Sequence, residues 1–299
     1  MVAVASPRSV RRLVLLLAVS TFCPALYAGF KPEQYVIVQS ETNEPTSVYA
    51  ADLDGDGDLD VLSASYWDDK IAWYANDGKG QFGPQQVITT EAQGASCVHA
   101  ADLDDDGDLD VLSASWADDK IAWYANDGTG RFGPQQVITT DADGAYCVYA
   151  ADLDGDGDLD VLSASWGSYR SYNGKIAWYA NDGTGQFGPQ RVITTEADWA
   201  HCIYAADLDG DGDLDVLSAS ASFSNQGYGY VDPTFAWYAN DGTGQFGPQQ
   251  VITTEADGPG CVYAADLDGD GDLDVLSASW MDSKIAWYAN DGTGQFGAQ

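Results

Sequence analysis

Residues 151–165 read A-D-L-D-G-D-G-D-L-D-V-L-S-A-S, and this stretch decides the fold because it recurs. The same string, with Asp105 replacing one glycine in the second copy, begins at Ala51, Ala101, Ala206 and Ala265. Its first aspartates, Asp52, Asp102, Asp152, Asp207 and Asp266, are spaced by 50, 50, 55 and 59 residues. Each copy runs on into A-W-Y-A-N-D-G and then F-G, and the first four continue to P-Q-x-V-I-T-T. The units therefore start near residues 47, 97, 147, 202 and 261. A near-verbatim period of this length is the mark of a solenoid, a propeller or an array.

The second unit shows what each copy folds into. Cys97 to Ala101, Val111 to Ser115, Lys120 to Ala125 and Gln136 to Thr140 are short runs rich in Val, Ile, Thr, Tyr and Trp. They read as strands. Asn126-Asp127-Gly128-Thr129-Gly130 between two of them is turn chemistry, since Asn, Asp and Gly tolerate left-handed backbone. No window sustains a helical period. Four short strands per unit predict an all-β chain built as a β-propeller of five four-stranded blades. A parallel β-helix is the weaker rival, because its rungs are shorter than these units.

The chain reaches Gln299 where the fourth strand of the fifth unit should begin. Residues 29–37 resemble Phe82 to Ile88 with one insertion at Tyr35. An N-terminal strand is thus expected to complete the last blade and close the ring, which hides both sheet edges. A fragment of a larger ring is the alternative. Upstream, Arg8, Arg11 and Arg12 precede the apolar run Leu13 to Val19, the layout of a secretory signal peptide over residues 1–28. The run is shorter than the roughly 20 residues of a membrane span. The mature chain, residues 29–299, is expected to be secreted, extracellular or on the cell surface, without membrane insertion.

The aspartates hold the strongest chemical signal. The five loops carry Asp52, Asp54, Asp56, Asp58 and Asp60; Asp102, Asp104, Asp106, Asp108 and Asp110; Asp152, Asp154, Asp156, Asp158 and Asp160; Asp207, Asp209, Asp211, Asp213 and Asp215; and Asp266, Asp268, Asp270, Asp272 and Asp274. Glycine stands at the sixth loop position each time, as Gly57 does in the first. Odd spacing at a hairpin tip gathers side chains around one point. Hard oxygen donors at that density suit Ca2+, one ion per repeat and five in all, whereas Mg2+ demands a more regular octahedron. Position 12 is Ser63 rather than Glu, so the loop is not an EF-hand. Carboxylates about 4 Å apart repel by roughly 4 kcal/mol at an effective dielectric near 20. Five such clusters call for a cation.

D-L-D-G-D-G-D-L-D-V-L, A-N-D-G-T-G-Q-F-G and their spacing resemble the FG-GAP-like (VCBS-type) repeats, related to the calcium-binding blades of integrin alpha-chain propellers. The resemblance covers about residues 30–299. It implies a propeller with calcium loops and a part in adhesion, glycan binding or protein recognition.

Propeller topology puts the Asp loops and the N-D-G turns on one face, and the 2–3 and 4–1 loops on the other. Length varies in the 2–3 loops of units three and four, rich in Tyr, Gly, Asn and Ser, which suits adaptable recognition. Candidate ligand residues there are Tyr169, Tyr172, Tyr228 and Tyr230, with Trp67, Trp116, Trp166 and Trp280 at the ends of second strands and Trp199 in a 4–1 loop. The bland alternative is that these tryptophans pack between blades. Trp73, Trp123, Trp178, Trp237 and Trp287 are expected in the core. Cys97, Cys147, Cys202 and Cys261 share one repeat position, held by Ser47 in the first unit, and their pairing is open.

Lys and Arg number 12 against 47 Asp and Glu, a net charge of −35. That excludes a nucleic-acid partner, which needs a basic footprint. With 45% hydrophobic residues the chain is too apolar for a disordered acidic segment. The sequence thus points to a non-catalytic, calcium-dependent recognition or adhesion module for a glycan or cell-surface protein. A structural, calcium-stapled surface protein is the first alternative. A carboxylate-dependent hydrolase is the second, with no nucleophile elbow, H-E-x-x-H or P-loop in its favour.

Overall fold

A computed structural model describes residues 36–38, 41–167, 174–223 and 230–297. The expected signal peptide and the expected closing segment up to residue 35 lie outside them, as do Tyr169, Tyr172 and Tyr228. The described residues form nineteen strands and no helix, so no helix is long and apolar enough to cross a membrane.

The strands fall into five antiparallel sheets in chain order. The first holds β1 (Pro45–Ala51), β2 (Asp60–Ser65), β3 (Lys70–Tyr74) and β4 (Gln86–Thr89). The second holds β5 (Ala95–Ala101), β6 (Asp110–Ser115), β7 (Lys120–Tyr124) and β8 (Gln136–Thr139). The third holds β9 (Ala145–Ala151), β10 (Asp160–Ser165), β11 (Lys175–Tyr179) and β12 (Arg191–Thr194). The fourth holds β13 (Cys202–Ala206), β14 (Asp215–Phe223), β15 (Tyr230–Tyr238) and β16 (Gln250–Thr253). The fifth has three strands among the described residues, β17 (Pro259–Ala265), β18 (Asp274–Ser279) and β19 (Lys284–Tyr288).

Each sheet is a blade buried on both faces, which is why D-V-L-S-A-S is almost wholly buried in every copy. The blades meet at seams built from the same parts. Leu62, Ile71 and Trp73 of the first blade pack on Val98, Val111 and Tyr124 of the second. Leu112, Ile121 and Trp123 meet Val148, Val161 and Tyr179, and the pattern repeats into the fourth and fifth blades. Burying each large apolar side chain contributes about 1.5–3 kcal/mol, so the seams, not the hairpins alone, stabilise the array.

The inner strands of all five blades surround one cavity of about 190 Å3. Around it runs a collar of rings, Tyr49, His99, Tyr149, Tyr204 and Tyr263, with neighbouring centroids 4.6–5.1 Å apart. His99 takes a tyrosine's place in this collar, as its repeat position implies.

The fifth blade departs from expectation. Residues 36–38 are in no strand, and no fourth strand pairs with β19 among the described residues. Trp287 is 45% exposed where Trp73, Trp123, Trp178 and Trp237 are 1–3% exposed. Val48, at the opposite end of the array, is 51% exposed where Val98 is 3% exposed. The cause is position: Trp287 and Val48 lie at the two ends of the array, where no neighbouring blade covers them among the described residues.

Candidate metal loops and the aromatic face

The loop between the first two strands of each blade begins and ends in aspartate, and the two ends do different work. Asp60, at the start of β2, is fully buried. Its carboxylate accepts the Leu53 N–H at 2.9 Å and the Asn76 N–H at 2.8 Å. Asp110, Asp160, Asp215 and Asp274 repeat both bonds. This aspartate therefore holds the Asp loop and the N-D-G turn together from inside.

Asp52 accepts the Gly55 and Gly57 N–H groups at 2.9 and 3.0 Å, which curls the loop back on its own start. Gly57 has a φ of 93°, a left-handed conformation that favours glycine. Positions 1, 3 and 9 converge. Carboxylate oxygens of Asp52, Asp54 and Asp60 lie within 4.8 Å of one another, as do those of Asp102, Asp104 and Asp110, of Asp152, Asp154 and Asp160, of Asp207, Asp209 and Asp215, and of Asp266, Asp268 and Asp274. The remaining aspartates are placed otherwise. Position 5 turns back to accept the N–H of position 7, as Asp56 does from Asp58 at 2.9 Å and Asp106, Asp156, Asp211 and Asp270 do in their loops. The position 7 carboxylates of Asp58, Asp108, Asp158, Asp213 and Asp272 lie under the N-D-G glycine, with no room for a Cβ on Gly78 or its equivalents.

The triads fit a hard divalent cation. Buried oxygens of Asp54, Asp104 and Asp154 accept no hydrogen bond among the described residues. A buried carboxylate oxygen without a donor is costly unless a charge answers it. Asp52, Asp54 and Asp60 and their four equivalent sets would hold the ion, and the ion would neutralise the cluster.

Burial lifts Asp110, Asp160 and Asp215 to a pKa of about 7, against the pull of the two N–H groups on each. Burial and the neighbouring carboxylates also raise Asp54, Asp104 and Asp154. A carboxyl raised in the folded state binds its proton more tightly there than in the unfolded chain, where the pKa is about 3.9. Metal-free stability is therefore expected to fall as pH rises from about 4 to about 7, and to be lower still at pH 8. Melts in chelator at pH 5 and pH 8 check this: the pH 5 sample should melt higher. Equal melting points would remove the buried-carboxyl account.

Each loop is also wired to the next blade. Asn126 Nδ2 donates to the Leu53 carbonyl of the preceding blade at 2.8 Å and to its own Leu109 carbonyl at 2.9 Å. Asn181, Asn240 and Asn290 reach Leu103, Leu153 and Leu208 in the same way. Leu53 sits between two triad aspartates, so loop and seam share one residue.

The other face carries aromatics. Trp166 is stacked between Tyr146, at 4.3 Å, and Trp199, at 4.7 Å, with His201 at 4.8 Å. Trp116 lies 6.5 Å from Trp166, and Tyr66 lies 6.2 Å from Trp116 and 4.9 Å from Trp67. Trp116 and Trp166 thus join a band that crosses blades, whereas Trp67 is 65% and Trp280 55% exposed. Burial pushes the His201 pKa down to about 4, so it is neutral at pH 7. Tyr66, Tyr146 and His201 belong to the band although their sequence positions did not single them out. Counting from D-V-L-S-A-S gives the signal for Tyr66: its N–H bonds Glu44 as that of Trp116 bonds Gly94. Tyr66, not Trp67, is the equivalent of Trp116. Tyr230 opens β15.

Comparison with known proteins places the architecture. The family model for the FG-GAP-like repeat matches residues 52–113, 102–163, 164–218 and 223–277. The chain belongs to the FG-GAP-like repeat family. A search of curated proteins returned no significant match. Among solved structures, an Agrocybe aegerita lectin that recognises non-reducing terminal N-acetylglucosamine is 22% identical, with a TM-score of 0.58 over 84% of this chain and 64% of the lectin. The Photorhabdus luminescens Tc holotoxin pore is 19% identical (TM-score 0.48, 86% of this chain and 12% of that one). The V. cholerae biofilm matrix protein Bap1 is 18% identical (TM-score 0.46, 85% and 38%). This chain thus spans less than two thirds of each, and at these identities the lectin likeness speaks to fold alone.

Proposed function

We propose that this chain is a secreted, non-catalytic recognition module whose Asp loops bind calcium and whose opposite face binds a glycan or a cell-surface protein. The observation that carries the reading is a pair of exposed indoles at the ends of second strands, Trp67 at the edge of the aromatic band and Trp280 in the fifth blade, away from the acidic loops. Sugar rings stack on such surfaces while polar neighbours bond their hydroxyls. The five Asp triads supply the calcium part of the reading, one ion per repeat. The like-folded lectin's ligand, terminal N-acetylglucosamine, names the first glycan to screen. The leader at residues 1–28 supports export. Closure of the ring, with Trp287 seated against the first blade and an N-terminal strand from the residues before Val36 filling the fifth blade, completes the proposal.

A glycan screen in calcium tests it. The mature chain should retain a glycan, and Trp67→Ala or Trp280→Ala should weaken that binding about tenfold or more, as loss of an aromatic anchor does, with melting unchanged because both rings are exposed. Retention of no glycan and no cell-surface preparation sinks the recognition reading. That outcome favours the structural alternative, a calcium-stapled surface protein, which the near-identity of the repeats supports.

A further inference from the structure

The inner strands carry a feature that neither calcium nor the aromatic face uses. Ser47, Cys97 and Cys147 line the axial cavity, and Cys202 and Cys261 hold the same repeat position in the next blades. Sγ of Cys97 is 4.0 Å from Sγ of Cys147, and Sγ of Cys202 is 3.5 Å from Sγ of Cys261. All four are free thiols. Cys147 is 6% and Cys202 2% exposed. The Val262 N–H donates to Cys202 Sγ at 3.4 Å, a contact that favours a thiolate there. The repeat thus brings four soft donors into one row across three seams, with Cys147 and Cys202 also in side-chain contact and the two outer contacts joining Cys97 to Cys147 and Cys202 to Cys261.

The pairing selects the metal. Among the described residues, the sets of three or more metal-ligating groups that approach one another are the Asp triads, and no set contains a sulfur. A tetrahedral zinc site needs four converging donors, and hard ions need oxygen. Two thiolates alone suit a soft monovalent ion. With metal–sulfur bonds of about 2.3 Å, an ion bridges two sulfurs up to about 4.6 Å apart, and both contacts, at 4.0 and 3.5 Å, lie inside that span.

We propose that Cys97 with Cys147, and Cys202 with Cys261, form two dithiolate sites for a soft monovalent ion of the Cu(I) class. Binding is ligand exchange without electron transfer. Two thiols release two protons to solvent, two metal–sulfur bonds form, and the ion's previous ligands leave.

The test is a titration of the reduced, calcium-loaded full chain with Cu(I) under anaerobic conditions, against a chromophoric Cu(I) chelator. Uptake of two ions per chain is expected, one for each sulfur pair, with copper–thiolate absorption in the ultraviolet. Cys147→Ser and Cys202→Ser should each remove one ion, and together both. Serine already fills this position in the first blade, so these variants keep the fold, and their unchanged melting in calcium checks it. Uptake by the double variant equal to that of the parent overturns the proposal. So does a chain isolated without reductant whose mass is lower by four hydrogens, with these same pairs cross-linked as disulfides.

Discussion

Calcium at about 2 mM is expected to raise the unfolding free energy of the chelated protein by roughly 9 kcal/mol. Extracellular modules bind calcium with dissociation constants near 10⁻⁴ M at the tight end, so about 2 mM gives each site roughly 1.8 kcal/mol, and five triads multiply that. Denaturant melts in chelator and in calcium read it directly. Two substitutions separate the roles inside a triad. Asp104→Asn removes charge from an oxygen pair that includes an unpartnered atom, so it should lose about 2 kcal/mol of calcium-dependent stability and nothing in chelator. Asp110→Asn sets an amide against the Leu103 or Asn126 N–H that the carboxylate now accepts, and should cost about 1–3 kcal/mol in chelator as well. A calcium shift below about 1 kcal/mol would mean the loops are only acidic turns.

The second large effect is at the seams. Gly185 has a φ of 71°, and a Cβ there would land on the ring of Trp123, which is 3% exposed. Gly185→Ala combines left-handed strain of about 1–2 kcal/mol with overpacking of about 1–3 kcal/mol, so a loss of about 2–5 kcal/mol is expected. Gly80 is the same residue of the first blade, with a φ of 78° and nothing within 4 Å of its would-be Cβ. In an open array Gly80→Ala costs only the strain. In the closed ring proposed above, Trp287 covers Gly80 and the two substitutions cost the same. Equal losses in paired denaturation curves are the expected result, and a Gly80→Ala loss near 1 kcal/mol removes closure.

The strands were legible because each property that builds them is local. The second unit's Val111 to Ser115 and Lys120 to Ala125 match β6 and β7 to within a residue, since β-branched density and N-D-G turns sit in the sequence itself. The Asp clusters were legible as donors, but their division of labour was not. That Asp60 reaches two N–H groups and that Asp56 turns away depends on backbone directions a spacing rule cannot carry. Trp287 has the same neighbours in sequence as Trp123 and differs in having no blade beside it among the described residues. The cysteine pairs arise across seams 50 and 59 residues apart, where identical repeats offer identical choices.

The wiring of Asn126 to Leu53 has one more consequence. If the loops hold calcium as proposed, an ion that settles one loop would also steady the carbonyl that the neighbouring blade grips, and each filled site would lower the ordering cost of the next. Under the calcium reading proposed above, occupancy is then expected to spread like a zipper being drawn, so that a calcium titration would show a threshold rather than five even steps.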